Sequence, residues 1–356
     1  MAGSTKIRVG VNGYGVIGKR VAAAVSQQPD MVLAGVSDVV TDWRAQMAIR
    51  NGFRLFAATA ERVEPMRRAG LEVAGTLDDL LADVDVIVDC TPKGIASRNA
   101  DTYRQRGVRF ILQGGEQHAA TGHSFVAECN YASALGAPAT RVVSCNTTSV
   151  VRTLTALKRA GLLKRARGTL LRRATDPWES HESGIMNTLV PEPEIPSHQG
   201  PDAQAVDPGL DVVTMAVKVP ETLAHLHYWS VQLTRPASKD EVLDAFGTSS
   251  RIAFIRDDQG LVALNSVREL MTDSGRPFGN LYEVALWADM LRVQGDEAFY
   301  AYMVDNQAIV IPETIDAIRA LTGAVEDASE SIAMTNASLG IGSLFESRAR
   351  TEVGLK

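Results

Sequence analysis

Residues 7–25 read IRVGVNGYGVIGKRVAAAV, and this stretch decides the fold of the first part of the chain. The β-branched, apolar residues at its start predict a strand, and the alanines and valines at its end suit a helix. Between them Gly13, Gly15 and Gly18 have the spacing G-x-G-x-x-G. In that pattern the first glycine permits a tight turn, the second lets backbone approach a pyrophosphate, and the third allows close helix–strand packing. The stretch therefore predicts a dinucleotide-binding fold.

The same residues also spell G-x-x-x-x-G-K, the spacing of the loop that binds nucleoside triphosphates. That loop needs Ser or Thr after the lysine to hold Mg²⁺, and Arg20 occupies the position. The dinucleotide interpretation is therefore favoured over the triphosphate alternative.

A second apolar run, residues 31–37, is followed by Asp38, which lies about 20 residues beyond the last fingerprint glycine. An acidic side chain at this point holds the ribose hydroxyls of the adenosine half of the cofactor. Because a carboxylate there would repel a 2′-phosphate, the sequence predicts NAD in preference to NADP. The alternative is a loop aspartate that only caps the segment after it.

Further strand-like runs recur at residues 84–89, 108–112 and 141–144, with helix-compatible patterns between them. Near-continuous apolar strands that alternate with helices indicate a doubly wound parallel sheet, covered on both faces. Loops at the strand ends, residues 90–94 and 113–116, are expected to face the cofactor.

Cys145 lies in the run VVSCNTT, residues 142–148, between an apolar strand and a helical pattern that ends at Gly161. A thiol at a helix N-terminus is expected to have a lowered pKa, and the thiolate is the nucleophile. The alternative is a buried, inert cysteine, since free Cys is among the most buried residue types. For Cys90 a core position is favoured, and nothing near Cys129 would activate it.

Beyond residue 161 longer strands and proline-rich loops predict a second, mostly antiparallel sheet. Arg172 and Arg173 are adjacent on a strand, so at most one is expected to point into a given anion site. His225 and His227 fall on one face of a strand by the two-residue period. A catalytic base is favoured over a metal ligand because no matching cluster accompanies the pair, and a purely structural histidine stays open.

The composition narrows the classes of protein. A chain of 356 residues is long enough for two domains, and no apolar run approaches the roughly 18 residues of a membrane span. Three cysteines without CxxC spacing argue against disulfides and structural zinc, so we expect reduced thiols and no metal. Residues 1–6 lead straight into a strand-like run and leave no room for a signal peptide, so we expect a cytoplasmic protein. A net charge of −6 argues against nucleic-acid binding. Small molecules are the predicted partners.

Nine stretches resemble, in the same order, the archaeal-type (class II) phosphorylating glyceraldehyde-3-phosphate dehydrogenases. The likeness covers about residues 6–341. The stretches are NGYGVIGKRVA (12–22), VDCTPKGI (88–95), QGGEQH (113–118), VVSCNTT (142–148), RRATDP (172–177), IPSHQGPD (195–202), MAVKVPETLAHLH (215–227), IPETIDAIRA (311–320) and TNASLGI (335–341).

The resemblance implies a Rossmann domain, a catalytic α/β domain and a homotetramer. It matches Cys145 to the nucleophile and His225 to the catalytic histidine, which would act as base. For the cofactor we expect Gly13, Gly15, Val16, Ile17, Gly18, Asp38, Gly115, Arg173 and Asn306. For the substrate we expect Ser144, Cys145, Asn146, Thr147, Arg172, His198, Gln199 and Gly200.

The implied reaction is NAD-dependent oxidation of D-glyceraldehyde 3-phosphate, with inorganic phosphate, to 1,3-bisphosphoglycerate through a thiohemiacetal and a thioester. The family pattern SCNTTG ends here in Ser149, GPIN becomes GIMN at residues 184–187, and VHQES becomes VDNQA at residues 304–308. These departures motivate one alternative, the same chemistry on another small phosphorylated or phosphonylated aldehyde. Another alternative is a non-catalytic NAD-binding regulator.

The expected domain organisation has four parts. Residues 1–144 form the NAD-binding domain and residues 145–303 the catalytic domain. Residues 304–342 form a C-terminal helical segment that returns to the first domain, with a helix started by Pro312. Residues 343–356 form a polar tail.

Overall fold

A computed structural model describes residues 6–113 and 115–342. They form two compact units, one of residues 6–143 with Val310–Leu339 and one of Ser144–Ile309 with residues 340–342. The predicted polar tail, residues 343–356, lies outside the described residues. Residues 304–309 were expected in the segment that returns to the first domain, but they belong to the second unit.

The first unit alternates strands and helices. Its strands are β1 (Ile7–Asn12), β2 (Met31–Asp38), β3 (Leu55–Ala57), β4 (Gly75–Thr76), β5 (Val86–Asp89), β6 (Arg109–Leu112), β7 (Ser124–Phe125) and β8 (Ala139–Val142). Its first helices are α1 (Val16–Ser26), α2 (Trp43–Arg50), α3 (Ala60–Arg68), α4 (Leu77–Leu81), α5 (Ala96–Gln105) and α6 (Ala127–Asn130).

All eight strands of the first unit join one parallel sheet in the order β4-β3-β2-β1-β5-β6-β8-β7. The chain builds outward from β1 to β4 on one side and then returns to β5 on the other. The order therefore reverses beside β1, which is where open α/β sheets bind ligands at the carboxyl ends of their strands. The doubly wound fold predicted for this part is confirmed.

The second unit begins at α7. Its helices are α7 (Cys145–Arg159), α8 (Ser180–Ser183), α9 (Gln199–Val206), α10 (Lys239–Gly247) and α11 (Leu264–Asp273). Its strands are β9 (Leu163–Arg173), β10 (Val190–Pro191), β11 (Val212–Val219), β12 (His225–Leu233), β13 (Ile252–Ile255), β14 (Val284–Trp287), β15 (Arg292–Gln294) and β16 (Glu297–Val304).

The second sheet has the order β10-β11-β9-β12-β16-β14-β13, and β15 pairs with β16. The pairs β11–β9 and β13–β14 are parallel, and the other pairings are antiparallel. The predicted mostly antiparallel sheet is confirmed. In β12 alternate residues from His225 to Leu233 are buried, so one face of the strand packs on the core.

Helix α7 illustrates why the second unit begins where it does. Ser144 is its N-cap and accepts a hydrogen bond from the Thr147 N–H at 3.3 Å. Val150, Leu154 and Leu157 follow at helical spacing and are fully buried. Cys145 is the first residue of this helix, so the predicted strand-to-helix turn is observed between β8 and α7.

The C-terminal helices α12 (Val310–Thr322) and α13 (Ala328–Leu339) complete the first unit. The Arg319 side chain of α12 is fully buried and pairs with Asp30 at 2.8 Å, which ties this helix to the turn before β2. Helix α12 was predicted to start at Pro312 but begins at Val310, and the proline lies in its first turn, where no intrahelical N–H bond is lost. Among the described residues, no helix is both long and apolar enough to cross a membrane.

Candidate active site

The glycine turn after β1 has the backbone conformation that the fingerprint requires. Gly13 has φ +87°, and a Cβ there would lie 2.9 Å from the Cys90 carbonyl carbon. A Cβ on Gly18 would lie 1.8 Å from the Gly13 oxygen, so the helix packs directly on the turn. A Cβ on Gly15 would meet no atom within 4 Å. Gly15 is the N-cap of α1, and no side chain of the N-cap accepts from the first N–H groups of the helix. The turn therefore leaves open space beside the uncapped N–H groups of α1, which suits a pyrophosphate.

Asp38 is the last residue of β2 and faces this turn. One carboxylate oxygen accepts from the Tyr14 N–H at 2.7 Å, and the other accepts from the Val39 and Val40 N–H groups at 2.7 and 3.2 Å. Asp38 thus caps the loop after it, as the alternative interpretation expects, and also holds the glycine turn. A carboxylate has about four lone-pair sites, so one more donor such as a ribose hydroxyl can still be accepted.

The other cofactor residues predicted in the first unit lie at strand ends or at the helix start. Val16 and Ile17 are the first two residues of α1. A Cβ on Gly115 would lie 3.2 Å from the Lys93 Cβ, so the loops after β5 and β6 approach each other closely.

Cys145 and His225 form the centre of the second unit's candidate site. The Cys145 Sγ lies 3.5 Å from His225 Nε2, and the two residues come from the start of α7 and the start of β12. The other ring nitrogen, Nδ1, accepts the backbone N–H of Arg173 at 3.0 Å. A backbone N–H can only donate, so in the neutral ring the proton sits on Nε2 and points to the sulfur.

The prediction of a lowered pKa at Cys145 is wrong. Burial raises the pKa of the thiol to about 11, and this effect exceeds the opposing effects of Arg173, Arg172 and the Asn146 N–H. Burial also holds the pKa of His225 well below its ordinary value, helped by His227 and the two arginines. At neutral pH the site therefore rests as a thiol and a neutral imidazole.

A cavity of about 290 Å³ opens beside Cys145. Eight of the predicted site residues line it, namely Ser144, Cys145, Asn146, Arg172, Arg173, His198, His225 and Asn306. Its lining consists of Ser144, Cys145, Asn146, Arg172, Arg173, Ala174, Thr175, Asp176, Glu179, His198, His225 and Asn306.

Both Arg172 and Arg173 line this cavity, although the two-residue period predicted that at most one would. The alternation applies within a strand, but β9 ends at Arg173, so two long side chains reach around the strand end. Arg172 pairs with Glu192, and Arg173 pairs with Asp176 at 3.0 Å. The cavity therefore carries two guanidinium groups, which suits a phosphate-bearing ligand.

Thr147, Gln199 and Gly200 do not line the cavity. Thr147 is fully buried in the first turn of α7. Gln199 is also fully buried, and both polar atoms of its amide lack a hydrogen-bond partner. The Gly200 N–H donates to Thr214 Oγ1 at 3.0 Å. These three predicted substrate contacts are not brought to the site.

The second histidine of the pair supports the first turn of α7. His227 Nε2 lies 2.9 Å from Asn146 Oδ1, and Nδ1 lies 3.0 Å from the Tyr302 hydroxyl. Burial lowers the pKa of His227 to about 3, so the ring stays neutral. Both nitrogens of each histidine have neighbours in the protein, and within residues 6–113 and 115–342 no group of three ligand-type side chains could hold a metal ion.

Asp176 and Glu179 also line the cavity, although neither was predicted as a site residue. Asp176 stands inside the quoted motif RRATDP, so its place beside the arginines was the available signal. Glu179 follows in a short 3₁₀ helix, Pro177–Glu179, and no periodicity marks it. A parallel dinucleotide-type sheet in one unit and a thiol–imidazole pair with two arginines in the other define a nicotinamide-dependent dehydrogenase.

Several curated proteins have sequences similar to this chain and share a name. The chain is 44% identical over 336 residues to the glyceraldehyde-3-phosphate dehydrogenase of Thermococcus kodakarensis, which covers 94% of this chain and 99% of that protein. It therefore belongs to the glyceraldehyde-3-phosphate dehydrogenase family, as its sequence motifs indicated. The enzymes of that name from Methanococcoides burtonii and Metallosphaera sedula are 42% and 43% identical, over 338 and 337 residues. These alignments cover 95% and 94% of this chain, and 100% and 98% of the relatives.

Two family models match separate parts of the chain. Residues 144–274 match the model of the glyceraldehyde 3-phosphate dehydrogenase C-terminal domain, which begins at the N-cap of α7. Residues 7–115 match the model of the dihydrodipicolinate reductase N-terminus, which spans the glycine turn and Asp38. The second match lies in the unit with the parallel sheet, and the first lies in the unit with the mostly antiparallel sheet.

Proposed function

We propose that this protein oxidises D-glyceraldehyde 3-phosphate to 1,3-bisphosphoglycerate with a nicotinamide cofactor and inorganic phosphate. The single observation that carries the proposal is the Cys145 Sγ, 3.5 Å from His225 Nε2, in a cavity that both Arg172 and Arg173 line. The thiol supplies the nucleophile for an aldehyde, and the guanidinium groups supply charge for phosphate groups. The names of the curated relatives support this substrate.

The first unit fits a dinucleotide. Gly13, Gly15 and Gly18 leave room for a pyrophosphate at α1, with Val16 and Ile17 at the helix start, and Asp38 would hold a ribose. In the proposal, Gly115, Arg173 and Asn306 complete the cofactor contacts. When bound, the nicotinamide supplies an acceptor for the hydride that leaves the aldehyde carbon.

Cys145 begins the reaction by losing its proton to solvent. The thiolate attacks the aldehyde carbon, a C–S bond forms, and the carbonyl oxygen becomes the oxyanion of a thiohemiacetal. Loss of hydride from the same carbon restores a carbonyl and leaves a thioester on Cys145. A phosphate oxygen then attacks the thioester carbon, the C–S bond breaks, and the acyl phosphate leaves with Cys145 again a thiolate.

We propose a different part for His225 from the base that the resemblance implies. Since its Nδ1 accepts the Arg173 N–H, the neutral ring offers Nε2–H to the sulfur and then to the oxyanion. A donor in that position stabilises charge that develops in the transition state. Protonation of the ring at Nδ1 would break the Arg173 hydrogen bond, which agrees with the depressed pKa of His225.

The substrate-binding side is proposed from the cavity and from family position. Ser144 and Asn146 flank the nucleophile, and Arg172 and His198 lie on the cavity wall. Thr147, Gln199 and Gly200 do not line the cavity. In the proposal they support the residues that do, and they do not contact the substrate directly. A homotetramer stays a prediction that sedimentation can measure.

A substrate panel tests the reaction. With NAD and inorganic phosphate, we expect D-glyceraldehyde 3-phosphate to be oxidised, and removal of phosphate to reduce steady-state turnover to a single round per Cys145. Other small phosphorylated or phosphonylated aldehydes should give lower kcat/KM. Absence of turnover on glyceraldehyde 3-phosphate, together with turnover of another aldehyde, would support the alternative substrate and refute the proposal.

We propose NAD as the preferred cofactor because the Asp38 carboxylate stands at the expected ribose position. Both kcat/KM and the binding affinity measured by calorimetry should favour NAD over NADP by about tenfold or more, since a 2′-phosphate would meet a carboxylate. Asp38→Asn keeps an oxygen acceptor for the turn and removes the charge, so the preference should shrink.

Asp42→Asn is the matched control for Asp38→Asn, because it removes the same charge four residues away. Asp42 is the N-cap of α2, and asparagine is also a good N-cap. It should leave the ratio of the two affinities within about twofold of the starting protein. A wild-type protein that binds NADP more tightly than NAD contradicts the cofactor proposal.

A further inference from the structure

Among the described residues, the Arg173 guanidinium has one ion-pair partner and two nitrogens without a hydrogen-bond partner. Its Nη2 pairs with Asp176 at 3.0 Å, and its side chain is only 14% exposed. Its Nε and Nη1 are buried and have no hydrogen-bond partner among the described residues. Buried donors are rarely left unpaired, so this group is held ready for an anion in the Cys145 cavity.

Asp176 is itself held by a second residue. The same carboxylate oxygen that pairs with Arg173 accepts a hydrogen bond from Gln307 Nε2 at 2.5 Å. An amide can donate to this carboxylate, whereas a carboxylate at position 307 could only repel it. Gln307 is one of the residues in which the segment 304–308 departs from the family pattern.

Gln307 is presented from a well-anchored turn. Its backbone N–H donates to Asp305 Oδ1 at 2.9 Å. Asp305 is 1% exposed, and its other oxygen accepts from Arg268 at 2.5 Å and from the Leu281 N–H at 3.1 Å. Two of the residues that depart from the family pattern thus act together, because Asp305 fixes the turn and Gln307 reaches Asp176 from it.

We propose that Asp176 and Gln307 are positioning residues that hold the Arg173 guanidinium in the cavity beside Cys145. The proposal rests on the proposed function of Cys145 as the reacting thiol. Asp176 holds Nη2, and Nε and Nη1, which have no hydrogen-bond partner among the described residues, stay available to donate to a bound anion. Gln307 keeps the Asp176 carboxylate in place without adding charge.

The position of Arg173 is measured through the alkylation rate of Cys145. Other charged or titratable groups near the sulfur also affect that rate. Arg172 lies on the same strand, His225 on β12, and Asp305 follows β16. Glu179 and His198 line the same cavity. The test leaves all of these unchanged and varies only the two positioning residues.

The experiment measures the rate at which iodoacetamide alkylates Cys145, from pH 7 to pH 10, by mass spectrometry of the peptide that contains it. Asp176→Asn keeps an oxygen acceptor for Arg173 but removes a negative charge, so alkylation at pH 8 should become about threefold faster. Asp176→Ala removes the same charge but also the acceptor, so Arg173 is released; loss of the nearby guanidinium should outweigh the lost carboxylate, and alkylation should become about threefold slower. The opposite signs distinguish positioning from a charge effect.

Gln307→Glu should slow alkylation by about fivefold, because a second carboxylate would compete for Arg173. Gln294→Glu is the matched control. Gln294 is exposed in β15, and its replacement by Glu adds the same negative charge as Gln307→Glu. It should change the rate by less than about 1.5-fold. The KM for inorganic phosphate should rise in Asp176→Ala and Gln307→Glu more than kcat falls.

Equal shifts in Asp176→Asn and Asp176→Ala, or no shift in either, would overturn the positioning proposal. Because Asp176→Asn is nearly isosteric, it keeps the test valid if Asp176→Ala fails to fold. If Cys145 is alkylated and essential for turnover but these variants match the wild type, only this inference fails. If Cys145→Ser retains turnover, the proposed function fails instead.

Discussion

Cys145→Ser is expected to lower kcat for aldehyde oxidation by about 10⁴-fold or more, the largest effect of any single change in this protein. A serine hydroxyl has a far higher pKa than a thiol and is a much weaker nucleophile without an adjacent base. The residue that could serve as a base, His225, points its Nε2–H toward position 145. The hydroxyl would therefore find a donor rather than an acceptor, and neither the covalent adduct nor the thioester would form.

The measurement is single-turnover formation of reduced cofactor, with circular dichroism to show that the fold is intact. Cys129→Ser is the control, because Cys129 lies in the first unit within α6 and outside the candidate site. It should keep kcat within about twofold of the wild type. Activity of Cys145→Ser near that of Cys129→Ser would rule out covalent catalysis at this position.

The pH dependence of the wild type follows from the same thiol. With the pKa of Cys145 raised to about 11, the reactive thiolate is scarce at pH 7 and its fraction rises about tenfold per pH unit below that value. His225 contributes no step in this range, since its pKa lies well below the ordinary value. The alkylation rate should therefore rise steadily from pH 7 to pH 10.

Much of the fold could be predicted because it depends on local patterns. The glycine spacing at residues 13–18 requires one strand–turn–helix geometry, and the structure has it. The apolar runs before residue 144 are the strands of a parallel sheet because side chains buried on both faces leave no polar alternation. The two-residue period likewise predicted that His225 and His227 share one face of a strand, and in β12 that face is buried.

The chemistry of the site was less predictable because it depends on contacts distant in sequence. A helix N-terminus favours a thiolate, but the burial of Cys145 depends on β9 and β12, which are distant in sequence. Burial has the larger effect here and raises the pKa of the thiol. The two-residue period fails at Arg173 because the strand ends there. The tautomer of His225 depends on a backbone N–H 52 residues away, which no motif marks.

His225→Asn is the second prediction with a large effect, and kcat/KM should fall by about 10²- to 10⁴-fold. The loss follows from removal of the Nε2–H that faces the sulfur and the oxyanion. His181→Asn, at a histidine that is 69% exposed, makes the same replacement away from the cavity lining and should keep wild-type kinetics.

The loss of activity in a second variant, His225→Ala, distinguishes a hydrogen-bond donor from a base at this position. If the ring acts as a donor, His225→Asn should retain more activity than His225→Ala, because an asparagine amide can still donate a hydrogen bond. The pH profile of kcat/KM should keep its upward slope in both variants, since that slope belongs to Cys145. If the ring acts as a base, both variants should lose activity equally, and the wild type should show a second acid limb, beside the Cys145 slope, that both variants lack. That outcome would require the imidazole to give up the Arg173 N–H during turnover, and would contradict the donor mechanism.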